Sequence, residues 1–80
     1  MKVQAVAAGP VKRSLTIAGH RTSISLEPVF WTALLLAAET DQTSVATLVG
    51  SIDSGRDCTG LSSAIRVYLF ERMQKAALHR

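Results

Sequence analysis

The sequence predicts a small, mostly helical domain that opens with a short pair of β-strands and associates with a second copy of itself. Two early segments alternate between apolar and polar residues with period two, whereas the later segments follow the helical period. The chain has 80 residues, of which 48% are hydrophobic. A domain this short buries only about 60% of the surface of its unfolded chain and usually needs a covalent staple or a partner.

No staple is visible in the sequence. The single cysteine, Cys58, excludes an intramolecular disulfide, and no cluster of Cys, His and carboxylate residues offers metal ligands. Nothing in the sequence asks for a cofactor. A homodimer is therefore the expected source of the missing burial.

The first elements are two strands preceded by a tail. Residues 1–11 show no clear period and contain Gly9 and Pro10, so we expect a flexible tail there. Residues 14–18 and 22–26 each alternate, and Gly19 and His20 between them give a turn signal. The two segments can form a local hairpin, or either one can pair with its own copy in a second chain.

The alternation in residues 22–26 separates two faces. Ile24 and Leu26 fall on one face, and Arg21, Ser23 and Ser25 fall on the other. Since an isolated hairpin is marginal in water, the apolar face needs a hydrophobic layer beneath it.

Three helices follow the strands. Glu27 and Pro28 suit the start of a helix that runs to about Thr40. Ser44 is a good N-cap for a second helix. The apolar stripe of that second helix consists of Val45, Leu48, Val49 and Ile52.

A third helix is expected from about Ser62, after a loop rich in helix breakers over residues 53–60. Its apolar face consists of Ile65, Tyr68, Leu69 and Met73. We expect the helix to fray after Lys75, which gives a domain over residues 12–75 and a frayed end over residues 76–80.

The charge distribution points to a polyanionic partner. The net charge is only +3, but residues 1–26 contain four basic residues and no acidic residue, whereas residues 27–53 contain four acidic residues and no basic one. An acid-free basic segment attracts a polyanion, and a dimer doubles that field.

Membrane and enzyme functions are disfavoured. The longest apolar stretch, residues 29–38, is interrupted by Thr32 and is half of the roughly 20 residues that a membrane span needs. The N-terminus is too weakly apolar for a secretory signal, so the expected compartment is the cytoplasm. No Ser/His/Asp arrangement or carboxylate pair supports catalysis.

The order strand, helix, short turn, helix resembles the ribbon-helix-helix proteins. The resemblance rests on RTSISLEPVFW at residues 21–31 and SVATLV at residues 44–49. More narrowly, KRSLTIAGHRTSISLEP at residues 12–28 and LSSAIRV at residues 61–67 resemble a compact bacterial subfamily of single-domain proteins. The resemblance covers roughly residues 12–70.

The resemblance implies that two chains intertwine around a four-helix core and pair their strands into an antiparallel ribbon. Such a ribbon enters the DNA major groove. The base-contacting residues would be Arg21, Ser23 and Ser25. The phosphate-contacting residues would be Lys12, Arg13, His20, Thr43, Ser44 and Val45. The dimer core would consist of Ile24, Leu26, Phe30, Trp31, Leu34, Leu48, Val49 and Ile52.

This chain departs from the simplest family pattern in two ways. The extra segment at residues 14–18 competes with residues 22–26 for the place of the ribbon strand, and we favour residues 22–26 because they lie beside the helix start. With residues 14–18 as the ribbon, Ser14, Thr16 and Ala18 would face outward. The third helix is also additional.

The function that follows is a non-enzymatic, sequence-specific DNA-binding regulator, expected to repress transcription from an operator on double-stranded DNA. The alternative is an antitoxin-like or other interaction module, in which the third helix binds a partner protein. A dimeric scaffold without a DNA role is a third possibility.

Overall fold

The computed structural model describes residues 9–78, which form a β-hairpin followed by three helices. The elements are β1 (Val11–Ile17), β2 (His20–Leu26), α1 (Pro28–Thr40), α2 (Val45–Gly55) and α3 (Leu61–Leu78). The predicted mostly helical class with a short β element is confirmed. Of the predicted tail, residues 1–8 lie outside the described residues, and β1 already begins at Val11.

The two strands pair with each other within one chain. They are antiparallel, and the register runs from Ile17 opposite His20 to Val11 opposite Leu26. The turn consists of Ala18 and Gly19, with φ of 51° and 83°. Positive φ at both positions gives the tight turn that matches the twist of the strands. The sequence placed the turn at Gly19 and His20, one residue too late, because His20 pairs as the first residue of β2.

The first two helices begin at the expected signals, and α1 ends at Thr40 as expected. Residues 53–55 were expected to open the loop after α2, but they continue this helix to Gly55, a residue type that is common at helix C-termini. Pro28 occupies the first turn of α1, where its missing N–H would have no partner. The chain leaves α1 through Gln42 at φ 55°, while the Thr43 N–H donates to the Ala38 carbonyl at 3.0 Å. This bond satisfies a carbonyl in the last turn of α1. Ser44 then caps α2, as predicted.

The third helix extends three residues beyond Lys75, where the sequence analysis placed its end. Residues 75–78 read KAAL, all good helix formers, so no local signal stops the helix there. Residues 79–80 of the predicted frayed end lie outside the described residues.

A single core lies between the hairpin and the helices. β1 packs on α2, and β2 packs on α1 and α3. The largest fully buried side chains are Ile24, Leu26, Leu34, Val49 and Ile65. Ile65 comes from the third helix, so α3 is an integral part of this core.

The residues predicted for a dimer core pack within one chain. Six are buried, and the other two are partly buried against the core; the set is Ile24, Leu26, Trp31, Leu34, Leu48 and Val49, with Phe30 and Ile52 at the margin. These residues therefore form the hydrophobic core of one chain. A contribution to an interface between two chains stays a prediction.

Candidate nucleic-acid interface

The register of the hairpin places six polar side chains on its outer face. Residues directly opposite each other in an antiparallel pair share a face. Since Ile24 and Leu26 point into the core, the alternate positions point outward. The outer face comprises the opposed pairs Lys12 and Ser25, Ser14 and Ser23, and Thr16 and Arg21.

The outer face carries positive charge and hydroxyl groups and no carboxylate. Lys12 lies toward the open end of the hairpin and Arg21 toward the turn, with hydroxyl side chains between them. Within residues 9–78, neither cation forms a salt bridge. An unpaired guanidinium can donate two parallel hydrogen bonds to a planar acceptor pair, and hydroxyl groups both donate and accept. The surface therefore suits a partner rich in acceptors and negative charge.

The other basic residues of the hairpin lie on its inner face. Arg13 is opposite Ile24, and its guanidinium carbon lies 5.2 Å from the centre of the Trp31 ring. A cation over an indole face is attracted by the ring quadrupole. His20 is opposite Ile17. The basic residues that the sequence analysis grouped together are thus divided between the two faces.

Trp31 holds the open end of the hairpin against α1. Its Nε1–H donates to the Val11 carbonyl at 2.9 Å, and the side chain is buried. Together with the Arg13 contact, this bond fixes the start of β1, and with it the position of Lys12 on the opposite face.

The N-terminus of α2 is capped by its own residues. The Ser44 Oγ accepts the Thr47 N–H at 3.0 Å and donates to the Thr47 Oγ1 at 2.8 Å. The Thr43 N–H is already bound to Ala38. Thr43, Ser44 and Val45 were predicted to contact a phosphate here. Among the described residues the Ser44 and Val45 amides are uncommitted, whereas Thr43 retains only its hydroxyl for such a contact.

Two ion pairs attach α3 to the ends of α1. Arg66 Nε lies 2.8 Å from Glu27 Oε1, and Arg72 Nη2 lies 2.8 Å from Asp41 Oδ1. The hydrogen bonds from these arginines hold the pKa of Glu27 and of Asp41 below their usual values, and the Asp41 bond raises the pKa of Arg72. Neither pairing was anticipated, since the partners are 39 and 31 residues apart.

Several large apolar side chains remain exposed on α1 and α3. They are Val29, Leu35 and Leu36 on α1 and Val67, Phe70, Met73 and Leu78 on α3. Met73, which was predicted to lie on the apolar face of the third helix, is 63% exposed. These side chains leave apolar surface on both helices uncovered within one chain.

Other kinds of site find little support in the part of the chain that the structure describes. Residues 9–78 contain no group of three or more His, Cys, Asp or Glu side chains placed to bind a metal. Over the same range, no helix combines the length and apolarity needed to cross a membrane. Cys58 is an exposed, free thiol in the loop before α3.

Comparison with known proteins identifies one family. The family model described as "Ribbon-helix-helix domain" matches residues 10–73, which include the hairpin, α1, α2 and most of α3. No curated protein and no solved structure matches the chain.

Proposed function

Because the chain belongs to the ribbon-helix-helix domain family, we propose that it is a sequence-specific, homodimeric DNA-binding regulator of transcription. Membership of this non-enzymatic family implies a DNA-binding regulator or an antitoxin-type protein. The observation that carries the choice is the outer face of the hairpin, which combines Lys12, Arg21 and four hydroxyl side chains with no carboxylate.

In this proposal, β2 supplies the ribbon strand of each chain and reads bases in the major groove. The groove admits a two-stranded ribbon, and base edges there present distinct donor and acceptor patterns. The two β2 strands form this central ribbon, and the β1 strand beside each of them lies at the edge of the groove, near the phosphates. Arg21 donates a bidentate pair to a guanine, and Ser23 and Ser25 make less selective contacts. A good bidentate contact contributes roughly 1–3 kcal/mol of discrimination against the wrong base.

Phosphate contacts position the ribbon. Lys12 lies on the same face as the base readers, whereas Arg13 and His20, on the inner side of the hairpin, add sequence-independent attraction to the DNA backbone. The uncommitted amides of Ser44 and Val45 at the N-terminus of α2 suit a phosphate oxygen, because a helix N-terminus offers free N–H groups and a partial positive charge. The Thr43 hydroxyl adds a donor beside them.

We further propose that the protein is a repressor, blocking transcription by occupying its operator. Two-fold symmetry of the dimer requires inverted half-sites in that operator. Neutralisation of phosphates by basic residues makes the affinity fall steeply with salt concentration.

The test is a fluorescence-anisotropy titration of labelled DNA from upstream of the protein's own gene, beside a scrambled duplex, at two salt concentrations. We expect tighter, salt-sensitive binding to the upstream DNA. Arg21→Ala should reduce the preference for that DNA roughly 5- to 150-fold per contacted guanine. Lys75→Ala on α3 removes the same charge away from the hairpin and serves as the matched control. Equal losses in the two variants would contradict base reading by Arg21.

A second candidate function is a protein-interaction module of the antitoxin type. The observation that favours it is the exposed apolar surface of α3, with Val67 54%, Phe70 56% and Met73 63% exposed. An intact dimer that binds neither duplex in the titration would support this second function over the first.

A further inference from the structure

The edge of β2 that faces away from β1 is partly occupied by α3. The Ser25 N–H donates to the Ser62 Oγ at 3.2 Å, and the Ser25 carbonyl accepts from Arg66 Nη2 at 3.3 Å. Backbone groups in an antiparallel pair alternate between the partner strand and the free edge. Because Ser25 points its groups to the free edge, Arg21 and Ser23 do so as well.

The two contacts from α3 reproduce what a neighbouring strand would supply at Ser25. A neighbouring strand offers a carbonyl to the N–H and an N–H to the carbonyl. Here the Ser62 hydroxyl takes the place of the acceptor, and the Arg66 guanidinium takes the place of the donor. Arg66 is held in position by two bonds to the Glu27 carboxylate, at 2.8 and 3.2 Å.

We propose that the first turns of α3 and the β2 strand of a second copy are alternative partners for this edge. The inference rests on the proposed homodimer. When two β2 strands pair antiparallel about Ser23, each Arg21 lies opposite the partner's Ser25, and the pairing needs both backbone groups of Ser25. Formation of the ribbon therefore displaces the Ser62 and Arg66 contacts in both chains.

A second copy is the occupant that the chemistry of this edge favours. Pairing about Ser23 satisfies the edge-facing backbone groups of Arg21 and Ser23 and replaces the α3 contacts at Ser25. It also keeps the two Arg21 side chains at opposite ends of the ribbon. The exposed Leu35 and Leu36 on α1, the helix that follows β2, offer apolar surface for the same partner. Unpaired strand edges join other strands unless they are covered, which is the role of α3 in the single chain.

The displacement is local, since α3 is anchored beyond its first turns. Ile65 and Leu69 are buried in the core, and Arg72 is bound to Asp41. Ser62 lies near the start of the helix, next to the loop that follows α2. Opening of that first turn, together with rotation of the Arg66 guanidinium, frees Ser25 without removing α3 from the core. The third helix thus sets the concentration at which the dimer, and with it the reading surface, forms.

The test compares Ser62→Ala with Ser63→Ala in a Cys58→Ser background, with the dimer dissociation constant measured by sedimentation equilibrium in the absence of DNA. Ser63 is the exposed neighbour on the same helix turn. Loss of one neutral hydrogen bond changes an equilibrium about 5-fold, and each dimer displaces two such bonds. We expect Ser62→Ala to tighten the dimer by about 30-fold and Ser63→Ala to leave it unchanged.

A lower dimer dissociation constant in Ser62→Ala would distinguish the proposed competition from structural damage, because damage would weaken the dimer. Ser62→Thr keeps the hydroxyl and should behave like the parent protein. Arg66→Lys is a second variant that should free the Ser25 carbonyl. One ammonium cannot hold both the Glu27 carboxylate and the Ser25 carbonyl as the guanidinium does. Unchanged or weaker dimers in both Ser62→Ala and Arg66→Lys would overturn the proposal.

Disulfide trapping shows whether two copies pair through the free edge of β2 or through that of β1. Ser23→Cys, again with Cys58→Ser, places two thiols at the two-fold axis of a β2 ribbon, where Cα atoms about 5.5 Å apart suit a disulfide. Crosslinking through Ser23→Cys supports the proposal, and crosslinking only through Ser14→Cys on β1 overturns it. A Ser62→Ala dimer that tightens yet binds no DNA would refute the proposed function alone. DNA binding with unaltered dimerisation would refute this inference alone.

Discussion

Three consecutive leucines of α1 test whether a second chain covers that helix. Leu34 is fully buried within one chain, whereas Leu35 and Leu36 are 55% and 56% exposed. In an isolated chain, truncation of an exposed leucine removes little buried surface. In a dimer that covers α1, the same truncation weakens the interface. We therefore compare Leu34→Ala with Leu36→Ala.

The two substitutions should affect different quantities: Leu34→Ala the folding stability of each chain, and Leu36→Ala the dissociation constant of the dimer. Leu34→Ala leaves a cavity in the core and should lower the free energy of unfolding by about 2–5 kcal/mol at any protein concentration. Full burial of a leucine contributes roughly 1.5–3 kcal/mol. Since about half of that burial remains available at Leu36, Leu36→Ala should cost about 1 kcal/mol per chain and about 2 kcal/mol per dimer. The dimer dissociation constant then rises about 30-fold.

Sedimentation equilibrium measures the dissociation constant, and thermal unfolding at two protein concentrations measures the coupling of stability to association. The melting temperature of a dimer rises with protein concentration by mass action. Gln74→Ala, an exposed substitution on α3, is the control. A dissociation constant that does not respond to Leu36→Ala, together with a melting temperature independent of concentration, would refute the assignment of α1 to a dimer interface.

Two further predictions concern charge. In a homodimer, Lys12→Ala removes two phosphate contacts, so the slope of log affinity against log salt should become shallower by about 1.8. Arg13→Ala on the opposite face should change the slope less and lower the melting temperature through the lost Trp31 contact; equal slope changes would contradict the division of faces. The Arg66 hydrogen bond lowers the pKa of Glu27 from its ordinary 4.5. The folded state therefore binds fewer protons than the unfolded state, and this stability is present above pH 4.5 and is lost as the pH falls through the lowered pKa. Glu27→Gln should flatten that part of a melting-temperature profile, and parallel profiles would contradict the role of the pair.

The sequence predicted the elements well where a local rule applies. Proline at the start of α1 and serine at the start of α2 each have a physical reason to stand at a helix end, and both helices begin there. Period two placed Ile24 and Leu26 in the core, with Arg21 and Ser23 facing outward. Each of these features is decided within a few residues.

Features that depend on distant contacts were not predictable in the same way. The sequence gives Glu27 as a helix-start residue, but its bond to Arg66 requires α3 to lie beside α1. The same holds for the Ser25 and Ser62 contact, which joins residues 37 positions apart. The sequence predicted Ser62 only as the start of a helix. Serine is common at helix starts, so nothing in the local sequence indicated a contact with Ser25.

The position of Arg13 shows why charge composition alone does not define a nucleic-acid surface. Lys12 and Arg13 are adjacent, and a count of charges along residues 1–26 does not distinguish them. In a strand, however, neighbouring side chains point to opposite faces. Arg13 therefore lies on the core side and rests on Trp31, where the same charge also holds β1 in place. Only Lys12 shares the face of the proposed base readers. Comparing Lys12→Ala with Arg13→Ala therefore separates the effect of losing a charge from the effect of the face on which that charge lies.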